Sequence, residues 1–308
     1  MINRELIRIK VVQLVYAYYM NGGKSISAAE KELQTSLSKA YQLYNILLDL
    51  IVAVTAEERL RYEMQAARAQ REGEEYVTPK FAYNRFAVQL EENEQLAEYK
   101  EVNKLSWNDD IEFVRRMCNL IEQSELYKEY NASADDSYEA DREFWRKLYR
   151  QVVENNEDLA QLLEDKSLYW NDDKDIVDSF VVKTIKRFQP SNKSQQELLP
   201  EFKDDFDREY AVQLFRSAIV NGTEYQQYME QYSRNWKLNR MPFMDIVIMQ
   251  TALAELLVFP TIPVSVTLNE YVEIAKAYST PRSASFVNGI LDAIARGLAA
   301  DGKMMKQI

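Results

Sequence analysis

Histidine is absent from all 308 residues. That removes His-based catalytic triads, His-ligated metals and the commonest general acid and base together. A single cysteine, Cys118, excludes an internal disulfide and any Cys-x-x-Cys metal pattern. Beside Met117 and Leu120 it reads as a buried apolar side chain. Seven glycines and seven prolines are few for this length, and no Gly-rich phosphate loop of either common type occurs. No apolar run approaches the roughly 20 residues needed to span a bilayer, and the N-terminus lacks the charged, apolar, small-residue order of a secretory signal. Carboxylate chemistry stays open in principle, with 49 Asp and Glu, yet no motif arranges them. The expectation is a cytoplasmic, non-catalytic protein with no metal, no cofactor and no membrane association.

What is present favours helices. Leu, Glu, Ala, Lys, Arg and Gln are plentiful, and 46% apolar content suffices for a core. The expected fold class is all-α. The net charge of −11 argues against a nucleic-acid binder until it is located along the chain. Residues 1–50 carry six basic and four acidic side chains, net +2; residues 51–202 carry 21 and 33, net −12; residues 203–308 carry 11 and 12, net −1. The acidity belongs to the middle, where it reads as a solvated helical surface. The two ends are nearly neutral, which permits a local basic face.

The stretch from Asn239-Arg240-Met241-Pro242 to Leu298 predicts three consecutive helices. Pro242 suits a first helical turn because its missing N–H would have no partner there, while Pro260 and Pro263 bar continuation, so the first helix spans about 242–259. Thr267-Leu-Asn-Glu270 has the pattern of a capping box and predicts the start of the second helix, which Thr280-Pro281 ends. In the third, Phe286, Ile290 and Ile294 recur at i, i+4 and i+8 and so face a core. Gly289 stands among apolar neighbours at a cost of about 1 kcal/mol, which predicts a close approach by another helix.

These residues resemble the C-terminal domain of the bacterial antitermination factor family NusB. The resemblance is carried by Asp245, Ala252, Glu255 to Leu257, Ile262-Pro263, Asn269-Glu270, Val272-Glu273, Ala275-Lys276, Ser283 and Phe286 to Asp292, in order over about fifty residues. It extends to the N-terminus. NRELIRIKVVQLVYAYYM, residues 3–20, predicts a helix stopped by Asn21-Gly22-Gly23, and it is similar to the arginine-rich first helix of the family, with Val12-Gln13 and Tyr16 fitting V-Q-x-x-Y. Arg4 and Arg8, four apart, share a face; Lys10 points away from them. Glu5, Ile7 and Ile9 thin what is usually a denser basic run.

The family is about half this length. Tyr210 to Tyr228, leading into Trp236 and Asp245, is similar to the last helix of its N-terminal domain. Related aromatic text at Tyr41 to Val52 and Phe144 to Val153 reads either as diverged copies or as separate amphipathic helices. The expected organisation is an N-terminal helical domain, 1–235, containing an inserted acidic helical region of about 60–200, then a NusB-like helical domain, 236–308. Loops are expected at Gly73–Pro79, Asn131–Asp136 and Gln189–Gln196 with Pro200.

The resemblance implies a non-catalytic RNA-binding protein that holds boxA-type RNA together with ribosomal protein NusE, within the transcription elongation complex that makes ribosomal RNA. It implies phosphate contacts by Arg4 and Arg8, an approach to RNA by Arg282, Ser283 and Phe286 at a helix start whose amides can bind anions, and a NusE face that includes Tyr16 and Asp245. Arg282 stands where the family commonly has an acid, and Gln250 where it usually has an arginine. The alternative, from a different class, is a protein-interaction scaffold whose acidic insertion docks a basic partner and whose ends bind little RNA. Exposed aromatic stripes on helical bundles also allow a homodimer. The twenty tyrosines are spread along every helix, so most are expected in the core with the hydroxyl at its edge.

Overall fold

The computed structural model describes residues 1–23, 25–232, 241–304 and 306. The predicted Trp236, Asn239 and Arg240 lie outside them. Fourteen α-helices run through the described residues. They are α1 (Arg4–Met20), α2 (Ile26–Glu72), α3 (Arg85–Glu91), α4 (Glu94–Asn103), α5 (Ile111–Gln123), α6 (Glu125–Ala132) and α7 (Tyr138–Leu148). There follow α8 (Glu157–Lys166), α9 (Lys174–Arg187), α10 (Asp205–Val220), α11 (Gly222–Tyr232), α12 (Phe243–Val258), α13 (Val264–Tyr278) and α14 (Ser283–Ala300). No strand occurs among the described residues; Ile2 and Phe202 form one isolated parallel bridge. The fold is all-α.

The chain divides into two compact units. Lys39–Pro200, with Met1, form a middle unit, and Ile2–Ser38 with Glu201–Ile308 form a terminal unit. One cut therefore falls inside α2, and residues on both sides of position 235 share the terminal unit. The middle unit holds 22 basic and 33 acidic side chains, so the charge of the whole chain resides there; the terminal unit is balanced at 16 of each.

In the terminal unit α12 is the hub, packed against α1, α10, α11, α13 and α14. Its sequence is apolar on all sides, as a helix enclosed by others must be, and Val247 through Leu256 are buried without a break. Pro242 and the 260–263 prolines delimit it, with Pro242 as the residue just before the first turn. Asn3 caps α1 by accepting the Leu6 N–H at 2.9 Å. Gly22 and Gly23, at φ 80° and 64°, end it in a conformation that side chains disfavour.

The structure differs from the sequence-based expectation at α13 and α14. Helix α13 begins at Val264, directly after Pro263, and Thr267 and Glu270 do not cap it; both side chains turn to a partner on another helix. Gly289 faces open space. The close approach occurs about two turns further along, at Gly297, where a Cβ would overlap the Tyr232 ring of α11.

The middle unit is built around Tyr44, Phe81, Phe86, Trp145, Tyr149 and Phe188, all buried. Helices α7 and α9 run antiparallel in it. Arg142 donates to the Phe188 carbonyl at 2.7 Å, and Tyr149 to Asp178 at 2.5 Å. Helix α2 is long and apolar enough by composition to cross a membrane, but its most apolar window is 72% buried within the protein, as in a core helix. Cys118 is buried, its thiol donates to the Val54 carbonyl at 3.3 Å, and burial pushes it up to about 12. A thiol held protonated is a poor nucleophile.

Candidate nucleic-acid interface

The first helix delivers its two arginines to one face, as their spacing requires. Both guanidinium groups lie over the Tyr210 ring of α10, at 5.1 Å for Arg4 and 5.9 Å for Arg8. Their surroundings separate them. Arg4 is 44% exposed and pairs with Asp207 at 3.1 Å. Arg8 is 4% exposed and grips Glu255 with two prongs, Nε to Oε2 at 2.7 Å and Nη2 to Oε1 at 3.1 Å, with Nη1 on Glu270 at 3.1 Å. Burial disfavours its charge, but Glu255 more than compensates, so the Arg8 pKa is raised. The expectation that Arg8 faces phosphate therefore does not fit this geometry: its donors are spent inside the protein. Lys10 is buried as well.

Glu255 explains why. It sits in Ala-Leu-Ala-Glu-Leu-Leu at the centre of the hub helix, fully buried, where an unpaired carboxylate would cost several kcal/mol. It is satisfied by Arg8, by the Tyr210 hydroxyl, and by Thr267 Oγ1 at 2.7 Å. Lys306 donates to its backbone carbonyl at 3.0 Å, and burial lowers that ammonium to about 8. The sequence carried a signal for this network, a glutamate inside an apolar run, but nothing in it names the partner 247 residues away.

Asp245 forms the second constellation. At the start of α12 it is buried and accepts Ser279 Oγ at 2.5 Å and Ser283 Oγ at 2.9 Å. Thr280 closes the loop by donating its N–H to Ser283 Oγ at 3.2 Å. One carboxylate thus fixes the turn from α13 into α14. Beside the buried Ser283, Arg282 is exposed at the N-cap of α14 and has no ion-pair partner among the described residues, and no side chain caps that helix. Phe286, one turn in, is half-buried. The arrangement offers a guanidinium and a helix N-terminus on a rigid turn, which suits an anion. Asp245 itself is too enclosed to meet a partner directly.

Tyr16 is half-buried, with its ring 5.4 Å from that of Phe243, and Tyr19 approaches the same ring at 6.0 Å. This aromatic surface joins α1 to the start of α12. Gln250 lies beneath it, fully buried, donating to the Tyr19 hydroxyl and to the Ala218 carbonyl at 2.7 Å each. A neutral amide meets those acceptors without the desolvation that a cation would incur. No group of three or more His, Cys, Asp or Glu side chains able to hold a metal ion occurs among the described residues.

A family profile, that of the NusB family, matches residues 179–296. The transcription antitermination protein NusB of Salinibacter ruber is 38% identical over 108 residues, which span 35% of this chain and 68% of that one. Its namesake from Thermoanaerobacter sp. is 37% identical over 121 residues, 38% of this chain and 86% of that one. A solved structure of T. maritima NusB, 29% identical, covers 53% of this chain and 95% of that one at a TM-score of 0.31.

Proposed function

This chain belongs to the NusB family, and from that membership we propose that it is a transcription antitermination factor that binds boxA-type RNA together with ribosomal protein NusE in the elongation complex, a cytoplasmic role. The observation that carries the RNA half of this reading is the Asp245 clamp. It spends a buried carboxylate and two hydroxyls on fixing the turn that presents Arg282 and the uncapped start of α14.

In this reading Arg282 and Arg4 supply phosphate contacts, and Phe286 presents an aromatic edge to an unpaired base. Ser283 and Arg8 act through what they hold. Arg8 fixes α1 to α12 and α13, and that anchorage sets the position of Arg4. Tyr16 with Phe243 forms the NusE face, and the buried Asp245, two positions after Phe243 on α12, acts there through the turn it holds. The balanced charge of the terminal unit supports the assignment of RNA contact to that unit, because the acidic excess lies outside it.

The test is binding of an RNA bearing the organism's boxA-type element, with NusE present, against a scrambled RNA of equal length. The element should bind at least about tenfold more tightly, the size of one or two good base contacts. Equal affinity for the two would refute specific recognition.

A further inference from the structure

The middle unit is acidic overall, but its cations are unevenly placed. No Asp or Glu stands between Asp178 and Glu197, and that stretch holds Lys183, Lys186, Arg187 and Lys193. Lys183, Lys186 and Arg187 follow one another at i, i+3 and i+4 on α9, so they share a face, and all three are exposed. Lys193 follows in the short 3-10 segment after the helix and is exposed too. None of the four has an ion-pair partner among the described residues. Many long cations elsewhere in the unit are paired, among them Arg59 with Glu91, Arg61 with Glu57 and Glu122, Arg85 with Asp141, and Lys100 with Asp49.

The segment is also held still. Lys193 has φ 47°, a left-handed value that a lysine adopts only under constraint. The constraint is visible: Gln89 of α3 donates to both the Gln189 and Lys193 carbonyls at 2.9 Å, and Asn93 to that of Gln196 at 2.7 Å. Of the carboxylates on neighbouring helices, Glu94 accepts the Ser194 hydroxyl at 2.9 Å and Glu139 pairs with Arg142. Four unpaired cations on a stitched backbone, inside a unit whose total charge is negative, form a local positive surface whose ordering has been completed before any partner arrives.

We propose that this face, the C-terminal half of α9 with the segment through Lys193, is a second RNA contact that takes the phosphate backbone without reading bases. It extends the RNA-binding reading above to a unit that reading does not use. An RNA strand fits better than an acidic protein because the cations recur along a helix with amide and hydroxyl side chains, Gln189, Ser191 and Asn192, between them, and no apolar anchor accompanies them. Such a surface adds affinity and salt dependence to any transcript long enough to reach it.

The experiment uses the full chain and a labelled oligouridylate, which carries phosphate but no boxA-type element. Wild type should bind it with marked salt dependence. Lys183→Gln with Lys186→Gln and Arg187→Gln should weaken binding about tenfold and reduce the salt slope by roughly two. Ser179→Lys, one turn earlier on the same face, should tighten it by roughly threefold. Unchanged affinity and slope in the triple variant overturn the proposal, as does displacement by polyglutamate as effective as by RNA, which marks a dock for acidic protein. Failure of the two readings can be told apart. Element preference kept with the triple variant unaffected on every RNA sinks this inference alone; oligouridylate binding lost in the triple variant, with no element preference in wild type, sinks the boxA reading alone.

Discussion

Arg8 of α1 and Glu255 of α12 close a two-pronged ion pair inside the terminal unit, with Nε 2.7 Å from Oε2 and Nη2 3.1 Å from Oε1. Breaking a buried pair strands the other charge, which costs about 3–5 kcal/mol. Arg8→Met should therefore destabilise the terminal unit by about that much in urea unfolding, and Arg8→Met with Glu255→Gln should recover part of it. An Arg8→Met protein as stable as wild type would show that the pair carries no structural burden.

The Asp245 clamp should separate stability from binding. Ser283→Ala removes one charge-assisted hydrogen bond, worth about 1.5–3 kcal/mol, and leaves Arg282 in place. Affinity for boxA-type RNA should drop severalfold while circular dichroism at room temperature stays that of the wild type. Binding as tight as in wild type would mean that the turn needs no clamp.

A pH dependence is built into the middle unit at Glu58. Burial raises its carboxyl first; the Tyr127 hydroxyl, donating at 2.6 Å, opposes this; and Glu122 raises it further, with Arg61 opposing, to about 7 from an ordinary 4.5. Glu57, Arg61 and Arg115 complete the cluster. A carboxyl whose pKa is higher in the folded than in the unfolded state stabilises below the unfolded value, and that stability is lost as pH rises through the folded one. The contribution is thus complete below about pH 4.5 and gone above about 7. Glu58→Gln should stabilise the protein at pH 8 by roughly 1–3 kcal/mol and have little effect near pH 5. Thermal melts at the two pH values check this; a pH-independent difference would contradict it.

Two glycines of α14 should respond with opposite signs. Gly289→Ala, into open space, should stabilise by about 0.5–1 kcal/mol. Gly297→Ala meets the Tyr232 ring and should destabilise, by about 1–3 kcal/mol. Equal effects in thermal melts would mean that the helix packs differently.

These glycines also mark the boundary of what local sequence encodes. Local signals were legible: prolines at 242, 260 and 263 bounded α12, and Asn21-Gly22-Gly23 ended α1 where the structure ends it. Signals shared by local and distant partners were not. A hydroxyl and a carboxylate three apart, Thr267 and Glu270, have the spacing of a cap, but their partners are Glu255 and Arg8. Likewise two arginines four apart share a face whether or not that face is solvent. Whether each is free depends on Asp207 and Glu255, more than 200 positions along the chain, a pairing that only the fold creates. At α14 the apolar stripe faces the core at Ile290 and Ile294, both buried, as its period requires. The glycine in contact could not be chosen, because Gly289 and Gly297 look alike until α11 is in place.

The most direct measurement is a titration of boxA-type RNA, with NusE present, by wild type and by Arg4→Ala with Arg282→Ala, across a range of salt. The account predicts that wild type prefers the element to a scrambled RNA, and that the variant loses affinity with a salt slope smaller by roughly 1.4, the release expected for two single-strand phosphates. Identical slopes for the two proteins, together with equal affinity for element and scramble, would contradict it.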